Sequence, residues 1–179
     1  MNSLCVFCGS QAGTQAPYAQ AAARLGRLLA ARGVTLVYGG GRVGLMGIMA
    51  DAALAGAGRV IGVIPQMLLD RELGHPGLAE LRVVPSLSQR KAAMAELADA
   101  FVVLPGGVGT LDELFEMWSW TQLGLHRKAS GLLNVAGYFD PLIQFMDRAV
   151  TEGFLSPRSR QTLVVDTDEA RLLDSLQQW

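Results

Sequence analysis

The sequence predicts an α/β protein of the Rossmann-like, doubly wound type, with a mostly parallel sheet of about seven strands and helices on both faces. Short runs of β-branched and apolar residues alternate with segments of helical period, the pattern of repeated βαβ units. The runs are apolar throughout rather than alternating, which is typical of strands covered on both faces. Glycine-rich segments follow two of these runs, where proteins of this class bind ligands.

The strands are predicted from runs bounded by glycine, proline or polar residues. They are Leu4–Phe7, Val34–Tyr38, Val60–Ile64, Leu81–Val84, Phe101–Leu104, Gly131–Asn134 and Thr162–Val165. Because parallel strands end at one edge of a sheet, the segments CGSQAG, GGGRVGLMG, PSLSQRK and PGGVGT are expected to converge on one crevice.

The helices are predicted from apolar residues recurring at helical spacing. They are Tyr18–Arg32, Gly44–Leu54, Gln89–Leu97, Thr110–Leu123, Pro141–Glu152 and Asp168–Gln177. Gly33 is expected to stop the first of them. Residues 65–80 form the one long irregular connection, and connections of that length are often functional.

Composition favours one compact domain spanning residues 1–179, since the chain carries no repeat, linker or low-complexity tract. Half the residues are hydrophobic and 17% are charged, so apolar surface is available for an interface between copies of the chain in a homo-oligomer. The apolar helix face around Met117, Trp118 and Trp120 is expected at that interface, with burial in the core as the alternative.

Charge and hydropathy argue against nucleic acid and membranes as partners. A net charge of −1 offers no general attraction to nucleic acid or anionic lipid. No window is apolar enough for a membrane span and the N-terminus lacks a signal-peptide pattern, so we expect a cytoplasmic protein without membrane contact.

The first glycine segment satisfies G-x-G-x-x-G at Gly39, Gly41 and Gly44. A dinucleotide site would also need an acid at the end of the next strand, and that strand ends as VIGVIPQ. We therefore interpret these glycines, with Gly40, as allowing close approach of the backbone to a ligand or a neighbouring helix.

The second glycine segment, LPGGVGTLDE, predicts a phosphate site at a helix N-terminus. The backbone N–H groups of Gly106, Gly107, Gly109 and Thr110 could hold one phosphate group. The segment lacks the lysine of a P-loop, which favours a monophosphate over a triphosphate. A capping box between Thr110 and Glu113 is the structural alternative.

Arg90 and Lys91 stand near the start of a helix, a placement that the helix dipole disfavours. Either they form a solvated helix start, or Arg90 faces the crevice and pairs with a phosphate or with a carboxylate such as Glu113. Cys5 and Cys8 form a C-x-x-C motif, but in a strand they point to opposite faces, so we interpret them as buried structural thiols. His75 and His126 are isolated, which favours loop or cap roles.

Taken together, GGGRVGLMG, the Arg90–Lys91 pair and PGGVGTLDE resemble the LOG ("Lonely guy") family of cytokinin riboside 5′-monophosphate phosphoribohydrolases. The similarity begins at FCGS, residues 7–10, and covers nearly the whole chain. Gly9 and Ser10 of that segment, together with Gly40 and Gly41, are predicted to contribute to substrate binding. The resemblance implies a homodimer that hydrolyses the N-glycosidic bond of N6-substituted AMP to the free base and ribose 5-phosphate, without a metal or organic cofactor.

The resemblance also implies roles for particular residues. Arg90 and Glu113 would carry catalysis, and Glu72, Lys91 and the Ser119 hydroxyl would contribute to the pocket. The nucleotide would be bound by the segment Gly107, Val108, Gly109, Thr110, Leu111, Asp112 and Glu113. We hypothesise that Glu113 binds the ribose and stabilises the developing cation, while Arg90 orients Glu113 or the phosphate.

The sequence departs from the family pattern before Arg90, where SLSQRK replaces Ser-Met-His-(Glu/Gln)-Arg-Lys. This departure affects the expected base selectivity more than the expected reaction. A non-catalytic nucleotide-binding or carrier protein, and a nucleosidase for AMP or another purine monophosphate, remain the alternatives.

Overall fold

The computed structural model describes residues 1–71 and 73–179, and these residues form one sheet of seven strands. The strands are β1 Ser3–Phe7, β2 Thr35–Tyr38, β3 Val60–Pro65, β4 Glu80–Val84, β5 Ala100–Val103, β6 Ser130–Leu133 and β7 Leu163–Asp166. Their order is β4-β3-β2-β1-β5-β6-β7 and every pairing is parallel, which confirms the predicted doubly wound sheet.

The helices are α1 Ala16–Ala31, α2 Gly44–Ala55, α3 Gln66–Leu69, α4 Leu87–Leu97, α5 Val108–Gln122, α6 Asp140–Thr151, α7 Pro157–Gln161 and α8 Glu169–Gln177, with a 3-10 turn at Val135–Gly137. Helices α1, α2 and α8 cover one face of the sheet, and α4, α5 and α6 cover the other. No helix among the described residues is long and apolar enough to cross a bilayer.

Two hydrophobic clusters sandwich the sheet, because successive strand residues point to opposite faces. On one face Leu4 and Val6 of β1 pack with Leu25 and Leu29 of α1. Gly26 lets α1 and α2 approach closely, since a Cβ there would lie 2.3 Å from the Met49 carbonyl oxygen. The close approach helps to hold α2, and with it the loop after β2, over the edge of the sheet.

Gly33 follows α1 in the left-handed region, at φ +65°, as predicted for a helix stop. The predicted irregular connection after β3 contains the short helix α3. The part of the connection that follows α3 is held against the loop after β2 by an isolated antiparallel β-bridge between Gly74 and Gly41. Buried His75 anchors the same segment, because its Nε2 lies 3.0 Å from an Asp51 carboxylate oxygen on α2 and its Nδ1 accepts from the Gly77 amide.

The predicted interface around Met117 and Trp118 is wrong for these two residues, which are core. Met117 is fully buried, and the Trp118 indole is buried with its Nε1–H donating to the Thr162 hydroxyl at 2.8 Å. A buried indole requires such a partner. Only Trp120 of that group stays half-buried.

Candidate active site

A crevice of about 370 Å³ opens at the carboxyl end of the sheet, where strand order reverses between β1 and β5. Ligands bind at such switch points because the connections on either side turn away in opposite directions and leave a gap. The two loops that meet there are tied by the Gly9 amide, which donates to the Pro105 carbonyl at 3.0 Å. The predicted convergence of the segments after β1, β2, β4 and β5 is confirmed, since each of them contributes residues to the crevice lining.

Close backbone contact explains glycine at the switch point. A Cβ on Gly106 would lie 2.1 Å from the Thr110 hydroxyl, and one on Gly9 would lie 3.3 Å from the Gly106 Cα. On the other side Gly44, at φ +62°, comes so near the Ser10 backbone that a Cβ would lie 2.3 Å from it. Each of these glycines therefore allows a close approach to a neighbouring chain segment. For Gly44 that neighbour is the loop after β1, rather than the ligand or helix that the sequence predicted.

One wall of the crevice is the N-terminus of α5. Gly107 caps the helix in an extended conformation, and the first bond back to it comes from the Leu111 amide at 3.1 Å. The amides of Val108, Gly109 and Thr110 precede that bond, so the helix itself supplies them no acceptor. Free N–H groups together with the positive end of the helix dipole suit this wall to an anion.

The start of α5 excludes the capping box. Thr110 lies inside the first turn rather than at the cap, and no side chain caps the helix. Glycine at the cap leaves the side chain of Glu113 available for another partner.

That partner is Arg90 of α4. Its Nη1 lies 3.3 Å from Oε1 of Glu113, and the two side chains are only 13% and 10% exposed. Both line the crevice one helical turn beyond the free amides of α5. Of the two alternatives for Arg90, the one in which it faces the crevice and pairs with Glu113 is correct.

Arg90 is held in position by the backbone around it as well as by Glu113. Its Nε–H donates to the Val63 carbonyl at 3.2 Å, near the end of β3. Gly39 makes room for the guanidinium, since a Cβ there would lie 1.9 Å from Nη2. Residue 39, the first glycine of the G-x-G-x-x-G segment, is therefore explained by the space that Arg90 needs, without a bound dinucleotide.

Burial raises the pKa of the Glu113 carboxyl above its usual range, and the Arg90 guanidinium offsets part of that rise. An enclosed carboxylate beside a fixed cation is the kind of group that acts on a developing positive charge. The thiol of Cys8 lies on the crevice lining, and burial raises its pKa far above the usual range, so it stays protonated.

Lys91 lies outside this crevice. Its ammonium group is 2.8 Å from an Asp112 carboxylate oxygen and also contacts Glu116, so it links α4 to α5 behind the Arg90–Glu113 pair. Burial alone would lower the pKa of Lys91, but the two carboxylates outweigh it and raise the pKa above the ordinary value.

Only some of the other residues predicted for the site line the crevice. Ser10, Gly41, Gly107, Val108, Gly109 and Thr110 line the crevice, whereas Gly9 and Gly106 line a smaller one beside it. Gly40, Leu111, Asp112 and Ser119 line neither, and Ser119 is exposed further along α5. Glu72 lies outside the described residues.

Part of the crevice lining is apolar, which sequence reasoning missed. It consists of Val43 and Met46 after β2, Ile64 near the end of β3, and Leu68 and Leu73 after β3. Met46 lies close to the Arg90 guanidinium, since a Cβ on Gly39 would contact both side chains. The position of these residues at or beyond strand ends is the signal that could have found them.

Cys5 and Cys8 are free thiols, buried in the clusters on opposite faces of the sheet, as predicted. His126 packs against Phe101 and Trp120, away from the crevice. The two lysines of the chain are Lys91 and Lys128, and the Lys128 ammonium donates to the Ala95 carbonyl at 2.5 Å. Neither lysine lines the crevice. Neither is therefore placed there to form the Schiff base that pyridoxal-dependent chemistry requires.

These features define a class: Rossmann-like α/β proteins in which a switch-point crevice joins a helix N-terminus to a buried arginine–glutamate pair. Residues 46–176 match the family described as "Possible lysine decarboxylase". The chain is 51% identical over 98% of its length, and 72% of the relative's, to a probable cytokinin riboside 5′-monophosphate phosphoribohydrolase of Oryza sativa subsp. japonica. It is 48% identical over 98% of its length, and 81% of the relative's, to a cytokinin riboside 5′-monophosphate phosphoribohydrolase of Arabidopsis thaliana. The chain therefore belongs to the LOG family.

Solved structures share the fold at much lower identity. The molybdenum cofactor binding protein of Rippkaea orientalis superposes with a TM-score of 0.76 at 19% identity, covering 98% of this chain and 95% of that one. The molybdenum cofactor carrier protein of Chlamydomonas reinhardtii gives 0.75 at 22% identity, covering 98% and 96%. These two likenesses concern the fold alone.

Proposed function

We propose that this protein is an N-glycosyl hydrolase that cleaves N6-substituted AMP, and AMP itself, into the free base and ribose 5-phosphate. The observation that carries the proposal is the buried Arg90–Glu113 pair one turn beyond the free amides of α5. The names of the plant relatives describe the same reaction on cytokinin riboside 5′-monophosphates. The whole chain would act as one nucleotide-binding domain.

The 5′-phosphate would bind at the start of α5. The amides of Val108, Gly109 and Thr110 have no acceptor among the described residues, and Ser10 lines the same crevice. No lysine lines this wall, so the backbone amides and the helix dipole would meet a single phosphate. Adenosine, which has no phosphate, should therefore be a poor substrate.

The ribose would lie beside Glu113. One helical turn rises about 5.4 Å, so a phosphate held by Gly109 leaves the sugar near the residue four positions later. Cleavage of the N-glycosidic bond builds positive charge at C1′, which a carboxylate stabilises directly. Glu113 would also bind the ribose hydroxyls or orient the attacking water.

Arg90 would hold the Glu113 carboxylate in place and keep it ionised. Its guanidinium is fixed on the Val63 carbonyl and above Gly39, so it can orient the carboxylate without rearranging. A fixed charge of this kind adds no reorganisation energy when the transition state forms.

The base would lie against the apolar part of the crevice lining, which includes Met46, Leu68 and Leu73. Apolar walls suit a purine and a hydrocarbon N6 substituent. The family's Met-His pair is replaced by Leu87 and Ser88, which are exposed and do not line the crevice. Selectivity for the base within this subunit would therefore depend on the apolar part of the lining.

A homodimer is part of the proposal. At the C-terminal end of α5 Leu123 is 74% exposed and Leu125 is 68% exposed, next to half-buried Trp120. Apolar side chains of this size gathered at one place are typical of surfaces that another subunit covers.

A substrate panel tests the function. Purified protein is incubated with AMP, isopentenyl-AMP, GMP, IMP, CMP and adenosine, and the free base is measured by chromatography. We expect base release from AMP and isopentenyl-AMP and little from adenosine. Binding of AMP without release of adenine would favour the carrier alternative, preference for GMP or IMP would favour another purine nucleosidase, and equal cleavage of adenosine would contradict the phosphate site.

A further inference from the structure

A smaller crevice adjoins the proposed phosphate site and shares Ser10 and Gly107 with it. It has a volume of about 300 Å³, and Tyr18 and Tyr138 line it. The Tyr138 hydroxyl donates a hydrogen bond to the Gly106 carbonyl oxygen at 2.5 Å. A side chain outside the proposed active site thus holds the peptide that leads into the start of α5.

The geometry of that peptide transmits the contact to the active site. In a planar trans peptide the C=O and N–H groups point in opposite directions. The carbonyl of Gly106 is directed to Tyr138, so the amide of Gly107 in the same peptide is directed away from it. Gly107 lines both crevices, whereas Gly106 lines only the smaller one.

Gly107 has open space on the side where a Cβ would stand. A Cβ added there would meet no atom of the described residues within 4 Å, whereas one added to Gly106 would lie 2.9 Å from the Gly9 amide nitrogen. Glycine has wide conformational freedom, so a peptide between two glycines can rotate unless a hydrogen bond fixes it. The Tyr138 hydroxyl supplies that bond.

Tyr138 is itself held by a well-bonded turn after β6. The Asn134 side chain accepts from the Phe139 amide at 2.8 Å and donates to an Asp140 carboxylate oxygen at 2.7 Å. Ala136 sits in the left-handed region at φ +50°, a conformation that persists in a non-glycine residue only when its surroundings fix it. The rings of Tyr18 and Phe139 pack edge-on against Tyr138.

We propose that Tyr138 is a positioning residue whose hydroxyl sets the orientation of the Gly106–Gly107 peptide, and with it the Gly107 amide, which would join the amides of Val108, Gly109 and Thr110 around the ligand's phosphate. The proposal deepens the proposed function and rests on its placement of the phosphate. Tyr138 acts through Gly107 and does not touch the reacting atoms.

The test compares Tyr138→Phe with Tyr18→Phe, which removes the other hydroxyl of the same aromatic pair. Phenylalanine keeps the ring packing in both variants, and circular dichroism with thermal melting checks that both stay folded. Calorimetric titration with ribose 5-phosphate should show about five- to tenfold weaker binding for Tyr138→Phe, the effect of one hydrogen bond, and wild-type affinity for Tyr18→Phe. With AMP, KM should rise by a similar factor while kcat changes less.

Ribose 5-phosphate binding separates this proposal from the hydrolase proposal. If the wild type releases no adenine but binds ribose 5-phosphate, and Tyr138→Phe weakens that binding, then the positioning role stands and the hydrolase proposal fails. Unchanged affinity in Tyr138→Phe would overturn the positioning role. So would an equal loss in both variants, or a loss of kcat at constant KM.

Discussion

The Arg90 guanidinium and the Glu113 carboxylate face each other at 3.3 Å, each almost enclosed by the protein. Arg90 comes from α4, which follows the edge strand β4, and Glu113 comes from α5, which follows the central strand β5. The pair forms because both helices cover the same face of the sheet. The proposed chemistry depends on this pair.

Glu113→Gln should lower kcat for AMP by about a hundredfold or more, because the amide cannot stabilise positive charge at C1′ as a carboxylate does. Glu116→Gln is the matched control, since it makes the same chemical change on the same helix in a residue that contacts Lys91 instead. Steady-state kinetics of both folded variants provide the measurement. Wild-type turnover in Glu113→Gln would contradict the role of the carboxylate.

The pH profile should reflect the raised pKa of Glu113. If the ionised carboxylate is the active form, log(kcat/KM) falls with a slope near one below a midpoint higher than about 4.3, the ordinary value for glutamate. Rates measured from pH 4 to 8 test this, and the same limb should be absent from the residual activity of Glu113→Gln. A midpoint at or below the ordinary value would contradict the effect of burial.

The contribution of Glu113 to the free energy of unfolding should fall as pH rises through the raised pKa of its carboxyl. A folded-state pKa above the unfolded value means that the folded protein binds the proton more tightly, so protonation of Glu113 favours folding. That contribution is present at low pH and is lost as pH rises from the unfolded pKa through the raised one. Urea unfolding across this range should show wild type losing free energy of unfolding relative to Glu113→Gln, and a difference independent of pH would argue against it.

Gly39→Ala should displace Arg90, since the new methyl group would lie 1.9 Å from Nη2, while the backbone at Gly39 needs no left-handed conformation. We expect kcat/KM for AMP to fall about tenfold, a loss of about 1.4 kcal/mol, with little change in melting temperature. The Gly39→Ala, Arg90→Ala double variant should be no worse than Arg90→Ala alone. Fully additive losses would show that Gly39 acts independently of Arg90.

Leu125→Glu should dissociate the proposed homodimer, because it puts a charge into the apolar surface at the end of α5. Analytical ultracentrifugation should give about twice the 19.1 kDa chain mass for the wild type and one chain mass for the variant. Phe154→Glu changes an apolar residue that is 89% exposed elsewhere and should leave the dimer intact. A monomeric wild type would contradict the proposed assembly.

Local sequence patterns determined the secondary structure well. The seven predicted strands agree with the structure to within one residue. Apolar runs between turn residues record burial on both faces of the sheet for the five inner strands, whereas the edge strands β4 and β7 are only partly buried. Helices α3 and α7 were missed because each is too short to show a period. Ser156 before Pro157 was the available signal for α7, since Ser156 caps it by accepting from the Ser159 amide.

Where one stretch of sequence was compatible with two local structures, only the tertiary structure showed which of them forms. Thr110 and Glu113 have the spacing of a capping box, yet α5 begins two residues earlier, with Gly107 at its cap. Trp118 could have faced a partner or the core, and its hydrogen bond to Thr162 belongs to the core. Both outcomes depend on groups distant in the sequence.

The sequence by itself therefore determined the α/β class, the strands and the glycine segments at their ends, because each follows from neighbouring residues. The tertiary structure alone decided that Arg90 pairs with Glu113, that Lys91 contacts Asp112 and Glu116, and that Met46, Leu68 and Leu73 share one wall. These contacts depend on strand order and on which face each helix covers. The chain sets both through the packing of its whole core, which no single stretch of sequence encodes.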